Sequence, residues 1–149
     1  MNGARHKSFL HTHAFRQQQL SQRSPDAKSV SKKQERLQRI ALEAAKQSGR
    51  GIIPEIGKMT DLESALKTAP GKKILFYEGG GEALGALVSP DEAEVSVFIG
   101  PEGGFDAAEV QLAKQYGATP ATLGPRILRT ETAPLAALSV LMYITGNMQ

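Results

Sequence analysis

Few side chains in this sequence can move a proton or hold an anion, and their positions are informative. There are no cysteines, so neither a thiolate nucleophile nor a thiolate metal site can form. The three histidines, His6, His11 and His13, all lie near the N-terminus without an acidic or cysteine partner close by. A histidine base in the body of the chain is therefore excluded, and no metal is expected, since metal sites need several convergent ligands. No serine occupies a G-x-S-x-G elbow, and neither a Walker P-loop nor a G-x-G-x-x-G helix start is present. The titratable candidates that remain are Glu78, Glu102, Arg126, Arg129 and Glu131. A guanidinium suits a developing anion or a phosphate, and a carboxylate can act as base or orienter.

Four of these five fall on two similar stretches. One is Ile99-Gly100-Pro101-Glu102-Gly103-Gly104-Phe105, and the other is Leu123-Gly124-Pro125-Arg126-Ile127-Leu128-Arg129-Thr130-Glu131-Thr132-Ala133. Each follows a short apolar run that ends on Gly-Pro, and each leads into a helical pattern. Bare, rigid loops at the C-terminal ends of strands are where an open α/β sheet binds its ligand. Either loop alone also reads as an ordinary strand-to-helix turn.

The elements that must hold these loops can be read in order. Residues 1–30 are rich in Gln, Ser, Arg and His with few apolar anchors, and they read as a solvated, basic polar arm that cannot build a core unaided. A domain is expected over 31–149. Ser31-x-x-Gln34 has capping-box spacing and opens a helix whose Leu37, Ile40, Ala41, Ala44 and Ala45 form one buried stripe, ending at Gly49. Its basic residues fit two readings, an RNA-facing helix or an amphipathic helix with a solvated basic face. Ile52–Ile56 reads as a short edge strand, and Thr60-x-x-Glu63 caps the next helix. Lys73–Glu78 reads as a buried strand followed by Gly79-Gly80-Gly81, and Glu82 to Val88 as a short helix. Val95–Ile99 is a central strand, Asp106-x-x-Glu109 caps a helix that ends at Gly117, and Ala121–Leu123 is the last strand. The final helix runs from Thr132 to about Thr145, with Leu135, Leu138, Leu141 and Met142 on one stripe and Pro134 tolerated in its first turn. Strands alternating with helices imply an α/β fold, an open, mostly parallel sheet with helices on both faces.

Length and charge bound the function. The chain has 149 residues, enough for one core, and no apolar stretch approaches the ~20 residues of a membrane span. No signal peptide is visible, and a cytoplasmic protein is the simplest reading. The net charge of +3 conceals a polarity: residues 1–50 hold 11 basic and 3 acidic residues, a net +8, and the remainder 7 and 12, a net −5. A basic end on an acidic body suits a polyanionic partner.

The two Gly-Pro stretches, with Glu35–Arg50, resemble the bacterial 16S ribosomal RNA uracil-N3 methyltransferases, the RsmE branch of the SPOUT superfamily, over about residues 33–146. The resemblance implies a C-terminal trefoil knot, S-adenosylmethionine (AdoMet) as methyl donor, 16S ribosomal RNA or the small ribosomal subunit as partner, and a homodimer. It implies a cofactor pocket from Phe76, Tyr77 and Glu78, with Gly79–Gly81 beside them. Ile99, Gly100, Pro101, Glu102 and Gly103 form a second wall. Leu123, Gly124, Ile127, Leu128, Thr130, Thr132 and Ala133 complete it. Arg129 is then expected to stabilise the uracil anion or grip a phosphate, with Glu131 a base or orienter and Arg126 in reserve. The alternative for Arg129 and Glu131 is helix-end electrostatics, since a carboxylate just before a helix start is favourable in any case. Lys32, Arg36, Arg39 and Arg50 are the expected RNA contacts. The family normally carries a β-barrel RNA-binding domain of the PUA type ahead of this one, and the N-terminal end here is too short to hold it. Members also carry a small non-proline residue where this chain has Pro134. Ribose 2′-O methylation of transfer RNA, or a truncated non-catalytic RNA-binding or dimerisation module, are the alternatives.

Overall fold

The computed structural model describes residues 9–14, 27–49 and 51–148, with side chains from Val30 onward. Arg50 and the first eight residues lie outside the described residues. By its contacts the chain divides into two units, one of residues 1–17 with 61–149 and one of residues 18–60.

The larger unit is a five-stranded sheet. Its strands are β1 (Phe9–Ala14), β2 (Lys72–Phe76), β3 (Glu82–Ala83), β4 (Glu94–Ile99) and β5 (Thr119–Thr122), and its helices are α2 (Leu62–Thr68), α3 (Leu84–Leu87), α4 (Ala107–Gln115) and α5 (Thr132–Ile144). The order is β1-β4-β2-β5-β3 and every pairing is parallel. Parallel strands must be buried on both faces, and the sequence of β4 supplies this by alternation. Val95, Val97 and Ile99 pack with Leu84 and Val88 around α3 and with Ala137 and Leu141 of α5. Phe98 faces the other way, into Leu66 of α2 and Val110 and Ala113 of α4. Ser96, also fully buried, satisfies its hydroxyl by donating to Pro70 O at 2.7 Å. The expected α/β architecture with helices on both faces is what forms.

Local chemistry places most boundaries. Asp106 accepts from Glu109 N at 2.8 Å and Glu109 Oε2 accepts from Asp106 N at 2.8 Å, so the expected capping box starts α4. Asp106→Ala is expected to lower stability by about 1 kcal/mol, a loss of a few degrees in Tm that calorimetry would register. At α2 the expected Thr60 cap does not form. Asp61 takes the role one residue later, accepting from both the backbone N–H and the hydroxyl of Ser64 at 2.8 Å. Those two bonds hold its carboxyl below the usual Asp range. Tyr116, at the end of α4, donates to Glu63 Oε1 at 2.6 Å and joins the two helices on that face, which raises its phenol above the usual value.

Two further expectations are corrected in this unit. Phe9–Ala14, inside the stretch read as a solvated arm, is a strand that pairs along its whole length with β4. The strength of that strand comes from a distant partner rather than from its own composition. In α5 the buried positions are Ala137 and Leu141, whereas Leu135, expected on the core stripe, is 67% exposed.

The smaller unit contains α1 (Ala27–Gln47). It begins four residues before Ser31, so Ser31 is an interior residue bonded to Glu35 and not a cap. Gly49, with φ +64°, ends the turn beyond α1 as expected. The expected apolar stripe forms in part: Ala45 is buried and Ala41 half-buried, but Leu37 and Ile40 are 39% and 51% exposed, and Gln34 and Gln38 are half-buried. The reason is the segment read as an edge strand. Residues 52–56 form no strand, and the carbonyl of Pro54 and both backbone groups of Ile56 pair with amide side chains of α1. Gln34 Nε2 donates to Ile56 O at 2.9 Å, Gln38 Nε2 donates to Pro54 O at 3.0 Å, and Gln38 Oε1 accepts from Ile56 N at 2.8 Å.

Candidate active site

The C-terminal ends of β2, β4 and β5 meet at one cavity of about 990 Å³. Parallel pairing fixes this, since Phe76 stands opposite Ile99 on one side and Ala121 on the other. The chains that leave these three strands become the walls.

From β2 come Phe76, Tyr77 and Glu78, then Gly79 and Gly80. Tyr77 N donates to Ala121 O at 3.1 Å and carries the β2–β5 pairing past the end of the strand. From β4 come Ile99, Gly100, Pro101, Glu102 and Gly104. This loop folds back on itself: Gly104 N donates to Pro101 O at 2.9 Å, with Gly104 at φ +69°. Gly100 is buried against the returning chain, where an added Cβ would stand 2.9 Å from Gly104 C and 3.2 Å from Phe105 N. From β5 come Ala121, Thr122 and the run Leu123 to Glu131, with Ala133 behind it. Thr122 Oγ1 accepts from Gly124 N at 3.1 Å and donates to Gly124 O at 3.0 Å, which pins the start of that run. Arg129 O accepts from Thr132 N at 2.8 Å and Ala133 N at 2.9 Å, which pins its end to α5.

The cavity thus combines a mostly apolar strip (Leu123, Ile127 and Leu128), bare glycine backbone, and five charged side chains: Glu78, Glu102, Arg126, Arg129 and Glu131. Among the described residues none of the five has an ion pair or a side-chain hydrogen bond, so all are free to meet a ligand. The volume lies at the upper end of the roughly 300–1,000 Å³ usual for ligand pockets. No group of three or more His, Asp or Glu residues suited to a metal ion stands together among the described residues.

The residues singled out from sequence separate into those this geometry unites and those it does not. Arg126, Arg129 and Glu131 line the cavity, as do the candidates Phe76, Tyr77, Glu78, Ile99, Gly100, Pro101, Glu102, Leu123, Gly124, Ile127, Leu128, Thr130 and Ala133. Gly103 and Thr132 do not. Gly103 is an exposed corner of the Pro101–Gly104 turn, and Thr132 is the exposed first residue of α5, with its N–H spent on Arg129 O. Lys32, Arg36 and Arg39 are exposed on α1 in the other unit, and Arg50 lies outside the described residues. Gly79 and Gly80, expected beside the pocket, also line it, and four further wall residues lie outside the sequence candidates: Gly104, Ala121, Thr122 and Pro125. Gly104 and Pro125 were within the two motifs. Ala121 and Thr122 carried only the signal of their place in the last strand.

A model of the RNA methyltransferase domain matches residues 13–142. The chain is 42% identical over 130 residues to ribosomal RNA small subunit methyltransferase E of Bacillus subtilis, covering 80% of this chain and 50% of that protein. It therefore spans about half the length of the curated relatives it matches. Among solved structures, a Legionella pneumophila protein in complex with the bound cofactor SAM superposes with a TM-score of 0.81 at 27% identity, over 91% of this chain and 66% of that one. Ribosomal RNA small subunit methyltransferase E of Neisseria gonorrhoeae, bound to S-adenosyl methionine, superposes with a TM-score of 0.77 at 26% identity, over 91% and 65%. Strand ends, paired loops and the match along most of the sequence agree, and the chain belongs to the RNA methyltransferase domain family.

Proposed function

We propose that this chain is the catalytic domain of an AdoMet-dependent methyltransferase acting on uracil N3 of 16S ribosomal RNA. The observation that carries the reading is the junction of the Gly100 and Gly124 loops in one cavity at the ends of β4 and β5. The residues present fit the cofactor. Leu123, Ile127 and Leu128 offer an apolar slot for adenine, and the bare backbone at Gly100 and Gly104 permits close approach. Bound there, AdoMet supplies the electrophilic methyl group. The chain's own task is to hold the uracil in line and to favour loss of its N3 proton. Arg129 stabilises the resulting anion, Glu131 receives or orients the proton, and Arg126 is the second cation in reach. The target base is splayed from its stack to reach them.

The proposal extends to a methyltransferase domain that includes β1, a trefoil knot in which the last helix, α5, is threaded through the loop before it, a cytoplasmic location and a homodimer. The dimer is supported by the apolar residues exposed on α5, Leu135, Val140 and Tyr143. Radiolabelled methyl transfer to undermethylated small ribosomal subunits, with the modified atom mapped by mass spectrometry, tests the central reading. A methyl group on a ribose oxygen, or none, overturns it.

Lys32, Arg36 and Arg39 share one face of α1 by their spacing and are the proposed RNA contacts. Replacing all three with Gln is expected to reduce the slope of log affinity against log salt by about 1 for each charge removed, with AdoMet affinity unchanged. An unchanged slope removes α1 from the RNA interface. Truncation is the wrong experiment here, because deleting residues 1–30 would also remove β1 from the edge of the sheet.

A further inference from the structure

Glu78 is the one cavity carboxylate whose position the glycine backbone itself defines. It follows β2 by two residues, and its side chain lies over Cα of Gly104: a Cβ built there would collide with Glu78 Oε1 and stand 3.1 Å from Cδ. The turn beneath it is fixed, since Gly104 N is bonded to Pro101 O and Gly104 has φ +69°. Among the described residues nothing donates to this carboxylate and no cation pairs with it.

A carboxylate only accepts hydrogen bonds, so whatever meets Glu78 must bring donors. The proposed cofactor has three donor groups: the adenine amine, the methionine ammonium and the two neighbouring ribose hydroxyls. With adenine in the proposed slot of Leu123, Ile127 and Leu128, its amine lies on the far loop. The ammonium is a compact charge on a flexible stem, with no fixed pair of donors to match a planar carboxylate. The vicinal hydroxyls alone offer two O–H groups spaced for the two oxygens of one carboxylate. An acidic side chain near a strand end is also how other open α/β sheets hold a ribose. Resting on the AdoMet reading of the cavity, we propose that Glu78 is a specificity-determining residue that accepts from the ribose 2′- and 3′-hydroxyls and selects ribonucleoside over deoxyribonucleoside ligands. Gly104 is then the residue that leaves room for it.

Calorimetry on the full chain tests this with three probes: AdoMet, 5′-methylthioadenosine, which keeps the ribose but lacks the ammonium, and its 2′-deoxy counterpart. The wild type should favour 5′-methylthioadenosine over the deoxy form by about tenfold, the scale of one charge-assisted hydrogen bond. Glu78→Ala should weaken AdoMet and 5′-methylthioadenosine by a similar factor and abolish the discrimination. Glu78→Gln, which keeps the packing against Gly104, should fall between them, and both variants should melt like the wild type. Undiminished discrimination in the variants overturns the proposal while leaving the cofactor reading in place. A loss for AdoMet alone assigns Glu78 to the ammonium and also overturns it. If the wild type binds neither AdoMet nor 5′-methylthioadenosine, the cofactor reading itself fails.

Discussion

Arg129→Ala is expected to lose methyl transfer by a hundred- to a thousandfold while AdoMet affinity stays within a few-fold of wild type. The size follows from the role. A donor aimed at charge that develops only in the transition state is worth about 2.7–4 kcal/mol, and it acts on turnover rather than on ground-state binding. The structure makes this a clean substitution. What Arg129 contributes to the fold is its carbonyl, which receives the N–H groups of Thr132 and Ala133. Its exposed side chain is bonded to nothing among the described residues. Alanine keeps the carbonyl and removes only the guanidinium, so thermal melting should be unchanged. Single-turnover transfer and AdoMet calorimetry then separate the outcomes. Near-normal turnover passes the role to Arg126 or Glu131. A collapse of AdoMet affinity instead makes Arg129 a residue that shapes the pocket. Lysine at this position should restore little, because an ammonium lacks the planar fork of donors.

Whether a feature could be read from the sequence depended on how far away its cause lay. The α4 capping box needs only Asp106 and Glu109, three residues apart, and it forms as expected. Burial of β2 and β4 on both faces needs only continuous apolar runs, and the sheet provides it. The features that escaped have non-local causes. Residues 52–56 carry a strand-like composition, yet their polar backbone is satisfied by Gln34 and Gln38, some 16 to 22 positions earlier. With those two amides half-buried, the stripe expected on α1 is covered only at Ala41 and Ala45. Phe9–Ala14 looks too polar to order itself, and its ladder partner is about 85 residues downstream. The site shows the same division. The motifs named the loops, but which glycine does what depends on how each loop closes. Gly103, the middle of the motif, is an outer corner, whereas Gly104 is the residue against which Glu78 rests. Nothing local distinguishes two adjacent glycines.

Gly100→Val is accordingly the substitution expected to damage the cofactor site most. Gly100 directly follows β4, is buried, and faces the turn that brings Gly104 back. An added Cβ would be 2.9 Å from Gly104 C, 3.1 Å from Gly104 Cα and 3.2 Å from Phe105 N. All three are backbone atoms of a turn closed by its own hydrogen bond, so no flexible side chain can swing aside. Valine adds two further methyl groups to the same space. The Pro101–Gly104 turn must therefore open, and Phe105, a buried residue of the α2–α4 core, is pulled with it. Overpacking of this kind costs about 1–3 kcal/mol of stability. The functional loss is larger, because the turn carries one wall of the cavity and the rest of Glu78. A shift on the order of 1 Å in such a wall is enough for about a hundredfold in turnover. AdoMet affinity should fall alongside the rate, in contrast to Arg129→Ala. Gly103→Val, at the exposed corner one residue before Gly104, serves as the control and should bind AdoMet nearly as the wild type does. If Gly100→Val kept wild-type affinity, the β4 loop would not be a cofactor wall. If Gly103→Val were the more damaging of the two, the exposed corner rather than the buried strand end would be the face that meets the ligand.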